Sequence, residues 1–107
     1  MNENHSIPYL SEDVLSGLGI TTTDVIYSIE TFITGSANGT VWSAPKAVIT
    51  PPDGRYMMAA LAAADDPAFL AVKTVVLNPR NTDRGLPQIT GLVTMLDSET
   101  GLPVAIL

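Results

Sequence analysis

The stretch AVKTVVLNPRNTDRGLPQITGLVTMLDSETGLPVAIL, residues 71–107, decides the fold of this chain. It opens with a strongly apolar run, residues 71–77, that is rich in β-branched valine. Turn-forming residues fill positions 78–87, and a second apolar run covers residues 88–96. A short polar connection then leads to a last apolar run, residues 102–107. This alternation predicts three strands, of which the last two form a hairpin.

One charged residue, Lys73, interrupts the first apolar run. The run itself has the composition of a strand that is buried on both faces. A lysine is rarely buried without a partner, because removing its ammonium group from water is costly. Two interpretations therefore stand on the residues alone. Either the side chain extends to water, or it points into a polar pocket that holds an anion.

The residues before this stretch predict two helices. Ser11, followed by acids in the next turn, predicts a short helix that ends at Gly19. Thr21 and Asp24 form a capping box for a second helix, which the glycines within residues 35–39 end. This helix carries an apolar stripe with helical spacing, which we expect to pack in the core (Val25, Ile26, Ile29, Phe32, Ile33).

The middle of the chain predicts further strands. Residues 47–50 form a short strand that the turn at residues 51–54 stops. Residues 55–63 are compatible with a strand or a helix, since alanine and methionine prefer helix; the preceding turn favours a strand at least through Ala60. Helices first and strands afterwards indicate an α+β domain with a mainly antiparallel or mixed sheet. A length of 107 residues suits a single domain, residues 1–107, with one core.

Composition excludes several classes of protein. The chain has no cysteine and a net charge of -6, which argues against disulfide or thiol chemistry and against nucleic-acid binding. No apolar run is long enough to cross a membrane, and the N-terminus lacks the features of a signal peptide, so we expect a cytoplasmic protein. The single histidine, His5, has no nearby partners for a triad or a zinc site. We therefore expect His5 to be exposed and expect no metal site.

All five basic residues lie between Lys46 and Arg84. One interpretation is a chance distribution in a small sample. The other is a local cationic region that suits a carboxylate or phosphate ligand.

The order of several short motifs in residues 71–107 is more specific than any one of them. A lysine-bearing strand is followed by Asn78-Pro79, then by Gly85-Leu86-Pro87 and Thr90-Gly91, and finally by the apolar end of the chain. This order resembles the front part of the ornithine cyclodeaminase/μ-crystallin family, and weaker similarity extends back to Leu10. Members of that family oxidise or reduce an amino-acid α-carbon with a nicotinamide cofactor. The resemblance implies that the front domain supplies substrate contacts and the dimer interface, while a separate Rossmann domain binds the dinucleotide.

The resemblance also implies roles for four residues. Lys73 corresponds to a lysine that contacts the substrate carboxylate, and Met58 to a methionine beside the substrate. Lys46 stands where the family usually has a carboxylate-binding arginine; lysine keeps the charge but loses the bidentate geometry. Gln88 falls at a position that is a threonine near the cofactor in some members. The family motif Met-Pro-Ala here reads Met58-Ala59-Ala60, without its proline.

The chain contains no G-x-G-x-x-G motif, so we expect no Rossmann domain in it and no NAD or NADP binding by it alone. The resemblance implies a fragment or a truncated gene product that is incomplete for catalysis by itself. The complete enzyme would be either an NAD(P)-dependent amino-acid dehydrogenase, which is an oxidoreductase, or an ammonia-releasing cyclodeaminase, which is a lyase. Its substrate would be an amino acid or a cyclic imine. The alternative is a non-catalytic, dimer-forming or small-molecule-binding module of μ-crystallin type. We expect a homodimer through the β-sheet, because open edges and apolar strands need cover.

Overall fold

A computed structural model describes residues 6–107 of the chain; the prediction made for His5 lies outside these residues. Two helices come first, α1 (Glu12–Ser16) and α2 (Thr22–Asn38). The described part then contains the strands β1 (Val41–Ser43), β2 (Ala47–Ile49), β3 (Tyr56–Asp65), β4 (Ala68–Leu77), β5 (Ile89–Asp97) and β6 (Pro103–Ile106), with a 3-10 helix (Pro79–Arg84) after β4. This confirms the α+β class and the order of helices before strands.

The strands form a single sheet in the order β1-β3-β4-β5-β6, and β2 pairs with β3 along the same edge as β1. Every strand pair is antiparallel. The N-terminal segment adds a parallel bridge between Tyr9 and Ile106, and the Leu10 N–H donates to the Ile106 carbonyl over 2.7 Å. The lysine-bearing strand β4 is therefore central, with a long partner on each side.

Alternation along the strands gives the sheet two faces. The lysine face carries Lys73 and its neighbours two residues away, Ala71 and Val75. The opposite, outer face carries larger apolar side chains (Trp42, Leu61, Leu70, Val72, Leu92, Leu96). Both helices lie on the lysine face: Phe32 of α2 shares a cavity with Ala71 and Met95, and Leu15 of α1 shares a groove with Lys73.

The start of each helix matches its sequence signal. The Ser11 hydroxyl accepts the Val14 N–H over 3.3 Å, and Thr21 and Asp24 exchange both bonds of the capping box at 2.9 and 3.1 Å. Because the Asp24 carboxylate accepts the Thr21 backbone N–H, and also interacts with the Thr21 side chain, its pKa lies below the usual value. These local hydrogen bonds explain why the helix starts were predictable.

The predicted end of α1 was wrong, whereas α2 ends within the predicted glycine segment, residues 35–39. Helix α1 closes at Gly17, two residues before Gly19. Helix α2 runs past Gly35 and ends at Gly39, whose left-handed conformation (φ 77°) and N–H bonds to Gly35 and Ser36 carbonyls terminate the helix. Gly35 is instead a packing residue: an added Cβ would lie 2.7 Å from Val41 Cγ2 and 2.9 Å from Thr40 Oγ1. Close approach of α2 to β1 therefore requires a glycine inside the helix.

We expect Gly35→Ala to destabilise the protein. Overpacking against Val41 costs about 1–3 kcal/mol, and the better helix propensity of alanine returns up to about 1 kcal/mol. The net loss, up to about 2 kcal/mol, should be measured by denaturant unfolding. The matched control is Gly17→Ala, since the nearest atom to an added Cβ there is 3.5 Å away and the backbone is right-handed. Equal stability of the two variants would contradict the packing role of Gly35.

The predicted burial of two segments was also wrong. Most of the α2 stripe is not core, because Val25, Ile26, Ile29 and Ile33 are 47–65% exposed. Phe32 is the member that is partly buried against the sheet. Strand β4 is not buried on both faces either, and Lys73 itself is exposed. Among residues 6–107, the buried hydrophobic side chains are Ala64 and Ala105. Much apolar surface is therefore available to a covering partner. Within the same residues, no helix has the length and apolar character needed to cross a bilayer.

Candidate functional site

Lys73 lies at the centre of the sheet, in register with Ala60 of β3 and Val93 of β5. Residues in antiparallel register share a face, so these three side chains point to the lysine face. The Lys73 side chain is exposed and lines an open groove of about 380 Å³. Its ammonium group is therefore accessible to a ligand on that face.

A second lysine, Lys46, comes directly before β2 (Ala47–Ile49). Ala47, the first residue of β2, pairs with Ala59, and this register continued by one residue places Lys46 opposite Ala60. Strands lie about 4.8 Å apart, so the Cα atoms of Lys46 and Lys73 are roughly 10 Å apart across Ala60. The methyl group of Ala60 leaves space between the two longer side chains. Two ammonium groups can therefore approach one carboxylate over Ala60.

Met58 lies on the same face, one pair further along the sheet. It is in register with Val48 on one side and Val75 on the other, and it is half-buried. Met58 is thus a diagonal neighbour of Lys73 across β3 and β4, within reach of a long side chain. The structure brings Met58 and Lys73 to one region of the lysine face, and the extended register of β2 would add Lys46.

Gln88 lies elsewhere. It precedes β5, and its carbonyl accepts the Asn78 N–H over 2.8 Å. Five residues separate it from Val93, the β5 partner of Lys73, which amounts to about 17 Å of extended strand. The structure therefore does not bring Gln88 together with Lys46, Met58 and Lys73.

The predicted cationic region is divided between two places. Arg55 is paired with Asp53, with 2.8 Å between Arg55 Nε and Asp53 Oδ2. The hydrogen bonds from Arg55, with smaller electrostatic contributions from Arg55 and Arg80, hold the pKa of Asp53 below its usual value. This ion pair lies in the turn before β3, whereas Lys46 and Lys73 lie over the sheet. Of these basic residues, Lys73 is the one that lines the groove.

The groove beside Lys73 contains residues that sequence reasoning missed. Its lining is mostly apolar and comes from α1, β4, β5 and the end of the chain (Leu15, Val75, Gly91, Val93, Leu107), together with Thr74 and Leu92, whose side chains alternate to the outer face. The pairing register and the position of α1 over the sheet create this set. No local pattern in the sequence marks Leu15 or Val93 as neighbours of Lys73. Across the described residues 6–107, no group of three or more His, Cys, Asp or Glu side chains is placed to hold a metal ion.

Comparison with known proteins gives one family match. The model of the ornithine cyclodeaminase/mu-crystallin family matches residues 10–107. No match was found among curated proteins.

Solved structures share the fold. The chain is similar to Thermococcus litoralis Δ1-pyrroline-2-carboxylate reductase, solved with NADH and L-proline, at 30% identity and a TM-score of 0.83. An archaeal alanine dehydrogenase dimer with bound NAD is 24% identical in sequence, with a TM-score of 0.82. The iminosuccinate reductase of Paracoccus denitrificans in complex with NAD+ is 18% identical, with a TM-score of 0.83. Each match covers 94% of this chain but only 30–31% of the other. The chain thus spans less than a third of these proteins' length.

Proposed function

The chain belongs to the ornithine cyclodeaminase/mu-crystallin family, and on this basis we propose that residues 1–107 are the substrate-binding and dimerisation domain of an NAD(P)-dependent amino-acid dehydrogenase or cyclodeaminase. The observation that carries the proposal is the exposed Lys73 opposite Ala60 on the central strand, with Lys46 directly before the start of β2 on the far side of β3. Two ammonium groups over a small residue suit the carboxylate of an amino acid or a cyclic imine. L-Proline is bound by the related reductase from Thermococcus litoralis. We propose the cytoplasm as the location, in keeping with a chain that lacks cysteine.

In this proposal, the residues of the chain bind and orient the substrate. The Lys73 ammonium donates to one carboxylate oxygen, and Lys46 supplies a second, less directional contact because it lacks the planar fork of arginine. Met58 packs beside the bound molecule. Fixing the carboxylate fixes the position of the adjacent α-carbon, and such orientation is a large part of catalysis.

The described residues do not fit a dinucleotide. The strands of the sheet pair antiparallel, whereas dinucleotide binding uses a parallel βαβ unit with a glycine-rich turn. At the start of the long helix α2, the Asp24 N–H donates to the Thr21 hydroxyl and the Thr21 N–H donates to the Asp24 carboxylate, and this carboxylate would repel a phosphate. We propose that NAD or NADP acts in the complete enzyme and that this chain alone binds neither.

Steady-state kinetics of the complete gene product test the proposal. A large loss of kcat/KM on replacement of Lys73 supports it, and full activity without Lys73 contradicts the assigned site. The second candidate function is a non-catalytic module of μ-crystallin type. Two departures from the family pattern favour it: Lys46 replaces the usual arginine, and Ala59 replaces the proline of the Met-Pro-Ala motif. An in-frame glycine-rich βαβ unit in the downstream coding sequence would favour the enzyme over the module.

We further propose a homodimer formed through the outer face of the sheet. Trp42, Leu61 and Leu92 are 46–57% exposed there, and a cavity of about 390 Å³ lies between apolar side chains of β1, β3, β4 and β5. Contiguous apolar surface of this kind marks an interface. Packing a second sheet on it at about 10 Å is the ordinary way in which two sheets cover their apolar faces.

Sedimentation at micromolar concentration should therefore show a dimer. Leu61→Lys places a charge in the middle of the outer face, so we expect it to shift the protein to monomer. The control is Ile33→Lys, which changes an equally exposed residue (65%) on helix α2 and should leave the dimer intact. A monomeric unmodified chain, or a dimer lost only with Ile33→Lys, would contradict an interface on the sheet.

A further inference from the structure

We propose that Asn38 and Gly39 form a self-modifying site, in which the Asn38 side chain loses ammonia and the product, aspartate or isoaspartate, releases the end of α2 from the sheet. The site lies where α2 leads into β1 and involves none of the candidate substrate-binding residues. Asn38 is the last residue of α2, and Gly39 follows it in the left-handed conformation. Both residues are exposed, so water reaches them.

The reaction needs only these two residues and water. The backbone nitrogen of Gly39 attacks the side-chain carbonyl carbon of Asn38, which closes a cyclic imide, and ammonia leaves with the proton from the glycine nitrogen. Glycine favours this attack because it has no Cβ to obstruct it. Water then opens the imide. Opening at the side-chain carbonyl gives aspartate, and opening at the main-chain carbonyl gives isoaspartate, in which the backbone runs through the former side chain.

The other asparagines among residues 6–107 are placed against this reaction. Asn78 precedes Pro79, whose nitrogen has no proton to lose, and the Asn78 side chain accepts a backbone N–H of the 3-10 helix over 3.1 Å. The Asn81 side chain donates to the Pro87 carbonyl over 3.1 Å. Asn38 instead lines an open surface pocket. The fold therefore selects Asn38 for the reaction.

The end of the helix slows the reaction. The Gly39 N–H donates to the carbonyls of Gly35 and Ser36, and a nitrogen held in this way does not turn toward the Asn38 side chain. The bond to Ser36 is long, at 3.4 Å, and helix ends fray. Opening of the last turn frees the nitrogen, so the rate of modification follows the fraction of molecules in which this turn is open.

The charge of either product weakens the end of α2. A new carboxylate at position 38 lies at the negative end of the helix dipole, in a last turn that carries no basic residue. It also joins a pocket that Glu30 and Asp66 line, and none of the described lining residues is basic. The added charge is therefore repelled by the helix and by both carboxylates.

Isoaspartate also adds one carbon to the backbone, just before the residue that ties the helix to the sheet. The Thr40 N–H and hydroxyl donate to the Gly35 carbonyl over 2.8 and 3.2 Å. The Thr40 carbonyl accepts the Asp65 N–H over 2.9 Å. A longer backbone at position 38 displaces Thr40 from both partners, and the packing of Gly35 on Val41 is lost with them.

Ageing of the 107-residue chain tests the site. We would incubate it at mildly alkaline pH, folded and in denaturant, and follow Asn38 by peptide mass spectrometry, with Asn81 in the same samples as the control. We expect Asn38 to react at least about tenfold faster in denaturant than in the folded chain, because the helix end must open first, and faster than Asn81 in both. Equal rates for Asn38 with and without denaturant would mean that the helix end does not control the reaction. An unconverted Asn38 in denaturant would overturn the site itself.

Hydrogen exchange tests the release of the helix. In the purified modified chain, the Thr40 and Asp65 amide protons should exchange at least about tenfold faster than in the unmodified chain. The Val93 amide, which donates to the Leu107 carbonyl within the sheet, is the control and should not change. If the modified chain protects Thr40 and Asp65 as well as the unmodified chain does, the helix is not released and the proposal is wrong.

Two variants at position 38 separate charge from backbone length. Asn38→Asp adds only the charge, so it should increase exchange at Thr40 by less than isoaspartate does. Asn38→Gln keeps a neutral amide, and its longer side chain would have to close a larger ring, so it should prevent both the modification and the faster exchange. Ageing that speeds exchange at Thr40 equally in Asn38→Gln would assign the loosening to another cause and contradict the proposal.

Discussion

Lys73→Met should lower kcat/KM of the complete gene product by roughly 30-fold to several thousand-fold, the largest effect that we expect from any single change in the site. Truncating one partner of a hydrogen-bonded charge pair in a closed site costs about 2–5 kcal/mol, and this range converts to those factors. In the described chain Lys73 is exposed and in register with Ala60, so the charge is available for the substrate. Initial rates over a range of amino-acid concentrations measure the loss.

Folding should change little in this variant. Methionine keeps the unbranched stem of lysine, and exposure of Lys73 means that its charge contributes little to stability. Thermal unfolding should therefore show a change in the free energy of unfolding of no more than about 0.5 kcal/mol, the usual effect of a surface substitution. The control is Arg80→Met, an exposed cation in the 3-10 helix, which should keep kcat/KM. A Lys73→Met enzyme that unfolds easily yet keeps normal kcat/KM in its folded fraction would make the lysine structural.

Local signals in the sequence were sufficient for the helices and the long strands, but not for the 3-10 helix Pro79–Arg84, which lies in the stretch predicted as a loop. Side-chain caps at Ser11 and Thr21 bond to N–H groups three residues away, so they act within one turn of chain and can be recognised without tertiary contacts. The turn at residues 51–54 and the apolar runs that became β4 and β5 are equally local. The strand at residues 55–63, ambiguous by helix propensity, extends to Asp65 because it pairs with β4 along its whole length.

Burial was not predictable in the same way. The stripe on α2 has the spacing of a core face, yet Ile26 and Ile33 remain more than half exposed. Spacing shows that one side of a helix is apolar, while the neighbouring element determines how much of that side is covered. Only the part of α2 near Gly35 and Phe32 lies against the sheet, and no sequence pattern reports where a helix crosses a sheet.

The family resemblance named candidate site residues but not their arrangement. It pointed to Lys46, Met58 and Lys73, of which Met58 and Lys73 are diagonal neighbours on the lysine face. It did not indicate that Ala60 lies between the two lysines, since this depends on the registers of two strand pairs. It assigned Gln88 to the cofactor rather than to the substrate, and that role stays a prediction.

Gly91 belongs to the Thr90-Gly91 motif of the resemblance, and the structure supplies the physical reason for the glycine. A Cβ added to Gly91 would lie 2.6 Å from the backbone carbonyl oxygen of Thr74 and 3.4 Å from Val75 Cγ2. The Thr74 carbonyl is part of β4, the central strand, so it cannot rotate away as the end of a flexible side chain does. The strands β4 and β5 would have to separate locally to admit a methyl group.

Gly91→Ala should therefore lower the free energy of unfolding by about 3 kcal/mol, the upper end of the range for overpacking. A domain of this size has a total stability of about 5–15 kcal/mol, and the loss corresponds to a decrease in Tm of roughly 12–24 °C. The control is Thr90→Val, an exposed neighbour on the same strand, for which we expect a change within about 0.5 kcal/mol. Both variants must be unfolded at the same protein concentration, because dimer formation adds a concentration-dependent contribution to stability. Equal melting temperatures for Gly91→Ala and Thr90→Val would mean that the close approach of Gly91 to Thr74 does not constrain the sheet.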